Sequence, residues 1–371
     1  MTVIRALADD LTGAFDAGAS FVSLSGPIPI AWSKEHLPLQ GSYILDNETR
    51  QLEDASLAKE KTLSDLKLIK NADIAFKKID SLMRGHTIAE IETCIKSQQF
   101  ASVVVAPSFP QQKRITRDNQ QYAKFFPEDD WHAVGPNLSN AFPGQRHITF
   151  INSSSKVTGD GLFIYDAETE EDMTKLPEIL SSIQEPILWC GSAGLAKALS
   201  GKLQSNDAYE PASTLVIIGS QHPVSHAQLR AINDVDPNCI TIIDEKTHLN
   251  ETADAVNKRL TRRQHGVIAL SITTGPSSAS RDRLSNMIHR LLPQLIKPER
   301  LFAMGGDTLL ATLRAVEARQ TSVKGELIPG VAIGEITGGL WDHVTFLSKS
   351  GAFGQPSFLR NFLTSCLPEQ H

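Results

Sequence analysis

At 371 residues the chain exceeds the size that a single hydrophobic core ordinarily serves, so two domains are expected. Hydrophobic residues at 41%, charged residues at 21% and a net charge of −6 describe an ordinary globular protein and disfavour a nucleic-acid surface. No apolar run approaches membrane-spanning length, and the N-terminus lacks a basic segment followed by an apolar one, so a cytoplasmic protein without membrane contact is expected. The cysteines Cys94, Cys190, Cys239 and Cys366 lie far apart without CxxC spacing and read as reduced thiols, neither a disulfide frame nor a zinc site.

The chain opens with a short apolar run, Ile4 to Ala8, that ends in two carboxylates, Asp9 and Asp10. A small-residue turn follows and feeds Phe15–Val22, where apolar spacing turns helical. Ligands of open α/β sheets sit outside the carboxyl ends of the strands, so an acid pair there is placed to act; equally, an Asp there can simply cap the helix. Ile28–Trp32 and Tyr43–Asp46 read as strands, Leu52–Leu68 as a helix, Ile74–Ile79 and Val103–Ala106 as strands, with a helix over Thr87–Gln98. From Phe109 to Arg146 the composition shifts to Pro, Asn, Gln and Asp with Tyr122, Phe125, Phe126 and Trp131, too long for an ordinary connection and read as a functional excursion. Strands Ile148–Ile151, Leu162–Tyr165 and Ile187–Cys190 and a helix near Thr169–Ile183 complete the first series. The polar run after Leu199 marks a boundary, giving domains 1–205 and 212–371. A second series then reads as strands at Leu215–Ile218, Ile240–Ile243, Val267–Ile272, Leu301–Met304, Val331–Ile336 and Val344–Ser348. The expected architecture is two α/β lobes of mostly parallel sheets with an active-site cleft between them.

Chemistry-bearing residues collect at predicted strand ends. Lys78, Ile79, Asp80, Ser81 and Arg84 follow one strand, and Arg50 follows another. An ammonium, a guanidinium capable of two parallel hydrogen bonds and a hydroxyl suit a small hydroxylated anion, although a solvated turn of mutually paired charges has the same composition. In the second series, Gly219–Ser220, Met304-Gly305-Gly306-Asp307-Thr308 and Lys349-Ser350-Gly351 are glycine turns after strands, and a helix N-terminus after such a turn favours phosphate. Glycines also serve tight packing. Neither a Walker A sequence nor GxGxxG occurs, which disfavours P-loop NTPases and standard dinucleotide dehydrogenases. His222 and His226 have i,i+4 spacing, which suits metal ligands but is commoner for exposed helix histidines.

Taken together, L-A-D-D-L-T-G-A (7–14), K-K-I-D-S-L-M-R-G (77–85), A-P-S-F-P-Q-Q-K-R (106–114), G-S-A-G-L-A (191–196), G-G-D-T (305–308) and K-S-G-A-F-G (349–354) resemble the four-carbon acid sugar kinases over nearly the whole chain. The resemblance implies ATP- and Mg²⁺-dependent phosphorylation of the terminal hydroxyl of D-threonate, D-erythronate, L-threonate or a 3-oxo-tetronate. It implies an N-terminal lobe for the acid and a C-terminal lobe for the nucleotide, and it leaves room for a homodimer. Carried over by motif, Asp9, Arg50, Lys78, Ile79, Asp80, Ser81 and Arg84 would hold the acid, and Ser220, Gly305, Gly306, Asp307, Thr308 and Gly351 the ATP. Common members read S-T-L-R-G-N where this chain has residues 81–86 as S-L-M-R-G-H, and a third glycine is frequent where Ala352 stands; the first departure bears on which stereoisomer fits. For the proton on the terminal hydroxyl, Asp9 or Asp10 is the first choice of base and Asp307 the rival. A non-catalytic sugar-acid sensor and an aldolase or dehydrogenase acting on sugar acids are the competing readings.

Overall fold

The structure is a computed structural model. It describes residues 1–371 except 126–127, 146, 184–185, 202–211, 272–276, 352 and 366–371, and except the side chains of 277–281. Two compact units divide the chain, Met1–Gln204 and Ser205–His371. The expected linker falls largely on 202–211, outside the described residues, as do Phe126, Arg146, Ile272, Ala352 and Cys366.

In the first unit, β1 (Ile4–Ala8), α1 (Leu11–Ser25), β2 (Ile28–Ala31), β3 (Tyr43–Asp46), α2 (Ala55–Leu66), β4 (Ile74–Lys78), α3 (Thr87–Lys96) and β5 (Ser102–Ala106) alternate as expected. Strands such as Ser-Val-Val-Val-Ala are buried along their whole length, the pattern of a sheet covered on both faces. Asp10 caps α1 by accepting from the Gly13 amide, and Gly26 ends it at φ +75°. After β5 the excursion forms an antiparallel sheet of β6 (Arg114–Arg117), β7 (Gln120–Ala123) and β8 (His132–Ala133). Next come β9 (Ile148–Ile151), β10 (Leu162–Tyr165), α4 (Glu170–Ile179), β11 (Ile187–Gly191) and α5 (Ala193–Ser200). Thr169 and Asp172 close a capping box at the start of α4.

The main sheet of this unit has the order β2-β3-β1-β4-β11-β5-β10-β9, and every pair in it is parallel. The chain runs from β1 outward to β2 and β3, then returns to β4 on the other side of β1. The carboxyl ends of β1 and β4 therefore flank the topological switch point, where open α/β sheets bind ligands. Helices cover both faces: α1 packs on α5 and α5 on α4, while α2 packs on α3. Leu7, Leu45, Val103, Val105 and Leu188 join Leu66 of α2 and Ile91 of α3 in one buried cluster.

The second unit contains β12 (Thr214–Ile218), α6 (Pro223–Asn233), β13 (Ile240–Ile243), α7 (Leu249–Thr261), β14 (Gly266–Leu270), α8 (Ser277–Leu291), β15 (Arg300–Met304), α9 (Gly306–Ala315), β16 (Gln320–Ile328), β17 (Val331–Thr337), β18 (Thr345–Lys349) and α10 (Phe358–Ser365). Strand order is β13-β14-β12-β15-β18-β17-β16, with its switch point between β12 and β15. The sheet is mostly parallel, as expected; the exception is β16, β17 and β18, which form an antiparallel meander. β16 escapes a search for apolar runs: Gln-Thr-Ser-Val-Lys-Gly-Glu-Leu-Ile buries Thr321, Val323 and Gly325 and keeps Lys324 exposed. The described cysteines Cys94, Cys190 and Cys239 are free thiols, as expected, and the fold buries all three. Among the described residues no helix is long and apolar enough to cross a membrane.

Candidate active site

The first cluster of charge sits at the switch point of the first unit. Ala8 is in register with Asp46 on one side and Lys78 on the other, so the residues after β1, β3 and β4 emerge together. Asn47 and Arg50 donate backbone N–H groups to the carbonyls of Ala8 and Asp9, which ties the β3 loop to the acid pair. The Arg50 guanidinium is the hub. Its Nε and Nη2 donate to the two Asp9 oxygens at 2.9 and 2.8 Å, Nη1 lies 2.5 Å from Asp10 Oδ2, and Nη2 lies 3.8 Å from Asp80 Oδ1. Burial works against its charge, but Asp9, Asp10 and Asp80 together hold it protonated.

The pair Asp9-Asp10 divides its contacts. Asp9 is 3% exposed and has both oxygens on Arg50; Asp10 is 17% exposed, with one oxygen on the Gly13 amide and the other on Arg50. Burial raises the Asp10 pKa above its ordinary value against the pull of Arg50, and the charge of Asp9 adds to the rise. Asp10 is thus both the helix cap and the more accessible acid. Gly13 belongs to this arrangement although no role was expected of it: a Cβ there would stand 2.6 Å from Asp10 Oδ1 and 2.9 Å from Lys78 Nζ.

Lys78 is buried and its ammonium donates to the Ile79 carbonyl at 2.8 Å. Arg84 donates Nε and Nη2 to both Asp80 oxygens, at 2.7 and 2.8 Å, while its side chain stays 61% exposed. Burial pushes Asp80 up, but the Arg84 hydrogen bonds and the charges of Arg50, Arg84 and Lys78 outweigh it and hold the carboxyl below its usual range. The loop that carries these groups is shaped by Met83 at φ +59° and Gly85 at φ +71°. A Cβ at Gly85 would lie 2.9 Å from Arg50 Cγ and 3.1 Å from Arg50 Cα, so glycine lets the two strand-end loops touch.

The excursion closes on this same loop. Gln121 of β7 donates to the Ser81 carbonyl at 2.8 Å, and Gly135 packs so closely on Met83 that a Cβ would come within 2.6 Å of its Cβ. It also brings Arg114, which lies within electrostatic reach of Asp80 and Arg84. Burial lowers the Arg114 pKa, and its Nε has no hydrogen-bond partner among the described residues. Asp46 is a further acid at this strand end, buried, with its pKa pushed well above the ordinary value by that burial. Sequence reasoning missed both: Arg114 sat in a quoted motif without a role, and Asp46 was read only as the end of a strand.

In the second unit the three glycine turns meet at the other switch point. Ile218 is in register with Met304, and Met304 with Lys349, so Gly219–Ser220, Gly305–Thr308 and Ser350–Gly351 leave adjacent strands side by side. A Cβ on Gly219 would come within 2.4 Å of Thr308 Oγ1, and one on Gly351 within 1.9 Å of Ser220 Oγ. Gly305 at φ +108° leads into α9, whose N-terminus has no side-chain cap. Its first-turn amides and dipole are therefore available to an anion, with Asp307 in the same turn. We expect Gly351→Ala to cost about 1–3 kcal/mol by overpacking and to weaken ADP binding measured by calorimetry. Binding equal to wild type would show that these turns do not hold nucleotide.

The His222 and His226 spacing has a local explanation. His222 is the N-cap of α6, with Nδ1 accepting from the Val224 amide at 3.2 Å. No group of three or more His, Cys, Asp or Glu that could hold a metal occurs among the described residues.

Comparison with known proteins matches each unit to a separate domain model. Residues 4–134 match the sugar-binding N-terminal domain and residues 215–359 the nucleotide-binding C-terminal domain. A D-threonate kinase of Salmonella typhimurium is 22% identical over 405 residues, covering 95% of this chain and 96% of its own length. A D-erythronate kinase of Heliobacterium modesticaldum is 23% identical over 337 residues, covering 75% and 76%. The crystal structure of a Salmonella typhimurium LT2 protein shares the fold at a TM-score of 0.74 and 18% identity, over 97% of this chain and 98% of that one. With a sugar-binding model on the unit that carries the acid–guanidinium cluster and a nucleotide-binding model on the unit that carries the glycine turns, the chain belongs to the four-carbon acid sugar kinase family.

Proposed function

We propose that this protein is an ATP-dependent kinase for the terminal C4 hydroxyl of a four-carbon sugar acid of the D-threonate, D-erythronate or 3-oxo-tetronate class. The observation that carries the proposal is the presence of two different strand-end sites: an acid–guanidinium cluster in the sugar-binding unit and glycine turns, one of them opening the uncapped N-terminus of α9, in the nucleotide-binding unit. The names of the relatives support the substrate class.

In this reading Arg84, Arg114 and Lys78 take the substrate carboxylate, since Arg50 is already matched by three protein carboxylates. Asp80, Ser81 and the Ile79 main chain take the hydroxyls. Asp9 fixes Arg50, and Asp10 accepts the proton of the C4 hydroxyl as it attacks the γ-phosphorus. Its greater exposure favours it over Asp9, and its own raised pKa suits a base. ATP lies on Ser220, Gly305, Gly306, Thr308 and Gly351, and the first-turn amides of α9 meet charge that grows on the leaving β-phosphate side. Magnesium binds through one or two carboxylates plus nucleotide phosphates and keeps several waters, so the single carboxylate of Asp307 fits it without an all-protein cage. When bound there, the cation would screen the phosphate charges.

A coupled assay of ADP release across the stereoisomers of threonate and erythronate, the 3-oxo acids and threitol tests this reading. Turnover with an acid but not with the carboxylate-free alcohol is expected. Acid binding without ADP release would identify a sensor, and turnover of acids without ATP another enzyme class; either result would sink the kinase proposal.

A further inference from the structure

Lys349 ends β18 in the second unit and is 1% exposed. Its ammonium donates to the carbonyls of Ser350 and Phe353 at 3.2 and 3.0 Å, which leaves one N–H without an acceptor among the described residues. Among the described residues no carboxylate lies in ion-pair range of it, whereas the buried ammonium of Lys77 in the first unit has Glu90 at 2.6 Å. A buried charge without a counter-charge is costly, and proteins ordinarily pair it or neutralise it. Here the cation sits beside the place where anion donors gather. Its carbonyl accepts from the Gly305 amide at 3.0 Å, and the next turn carries Gly351, pressed against Ser220.

We propose that Lys349 is a phosphate-binding residue of the nucleotide site, its ammonium supplying the countercharge to a nucleotide phosphate seated on the Gly305 and Gly351 turns. The inference rests on the nucleotide reading above and goes beyond it in naming the cation. Two carbonyls aim the side chain, and a nucleotide phosphate would supply the anion. Burial alone holds the Lys349 pKa down to about 8 in the free protein. A bound phosphate favours the protonated form, so binding above that pH draws a proton from solution. Among the described residues of these turns the other titratable side chains are His222 and Asp307. Burial and the charge of Lys349 lower the His222 pKa below 6.5, so its ring is neutral at the pH of the test.

The test is calorimetric titration with ADP at pH 8.5, in two buffers of different ionisation enthalpy, of wild type, Lys349→Met and Lys349→Arg. Wild type is expected to take up part of a proton per ADP bound. Lys349→Met should bind about tenfold or more weakly with no uptake, and its unliganded Tm should equal or exceed that of wild type, because an uncompensated buried charge is gone. A merely structural lysine would instead lower Tm and leave proton uptake in place. Lys349→Arg keeps the charge at every pH and should bind without uptake, which decides the matter if the Met variant does not fold. Unchanged affinity and uptake in Lys349→Met, or unchanged uptake in Lys349→Arg, would overturn the assignment while the nucleotide reading stood. A wild type that binds neither ADP nor ATP would overturn both.

Discussion

Asp10→Asn should lower kcat/KM by about a thousandfold, the usual range for removal of a positioned general base, while ADP binding stays at the wild-type level. Asparagine keeps the length and the capping oxygen, so the Gly13 hydrogen bond that starts α1 survives. The loss falls on the negative charge facing Arg50 Nη1. Arg50 retains Asp9 and Asp80, so the fold should lose only about 1.5–3 kcal/mol, the worth of one charge-assisted hydrogen bond. The pH profile gives an independent check. Asp10 works as a base only when ionised, and its pKa is raised by burial. Wild-type kcat/KM should therefore fall as pH drops through a value above the ordinary 3.8, and the variant should lack that limb. If Asp10→Asn keeps a tenth or more of wild-type activity and Asp307→Asn does not, the base lies in the nucleotide-binding unit and this assignment is wrong.

Glu90→Gln is expected to cost about 3–5 kcal/mol of folding stability, the penalty for leaving one member of a buried pair uncompensated. Lys77 and Glu90 are 0% and 1% exposed and lie 2.6 Å apart, and the hydroxyls of Thr49 and Thr62 donate to the same Glu90 oxygen. Burial disfavours the Lys77 charge, but Glu90 and, behind it, Asp9 hold its pKa above the ordinary value. Against a total stability of about 5–15 kcal/mol for a typical domain, such a loss would show as a large fall in the urea midpoint. The double variant Lys77→Met/Glu90→Leu should recover most of it, because the burial penalty of both charges disappears together. A single variant within 1 kcal/mol of wild type, on the scale of an exposed pair, would mean that the pair is not buried in solution. Since Lys77 and Lys78 are neighbours on β4 and point to opposite faces, this pair anchors the strand whose far side carries the candidate acid site.

Much of this organisation was readable from residue order. Apolar runs of four or five residues separated by helical spacing led to β1, β3, β4, β5 and the α/β class, because burial on both faces demands such runs. The strand-end motifs marked Asp9, Arg50, Lys78, Asp80 and Arg84 as companions before any contact was known, and the glycine turns marked Ser220, Gly305 and Gly351. What failed was whatever depended on partners distant in the chain. β16 is polar by composition and exists because β17 supplies its hydrogen bonds. Arg114 and Asp46 join the site only because the excursion folds back and because β3 pairs with β1.

The sequence by itself determined that Asp9-Asp10 ends a buried strand and that an acid pair there must either cap or act; local propensity and strand direction suffice for that. Only the tertiary structure decided how the two carboxylates divide. A guanidinium supplied 41 residues later takes both oxygens of Asp9 and one of Asp10. The cap and the more accessible carboxylate are therefore the same residue. Charge state and exposure depend on which groups burial brings within a few ångströms, and residue spacing along the chain does not contain those distances. The same holds in the second unit: a lysine ending an apolar strand is unremarkable in sequence, and its lack of a carboxylate partner among the described residues appears only when the strand is buried.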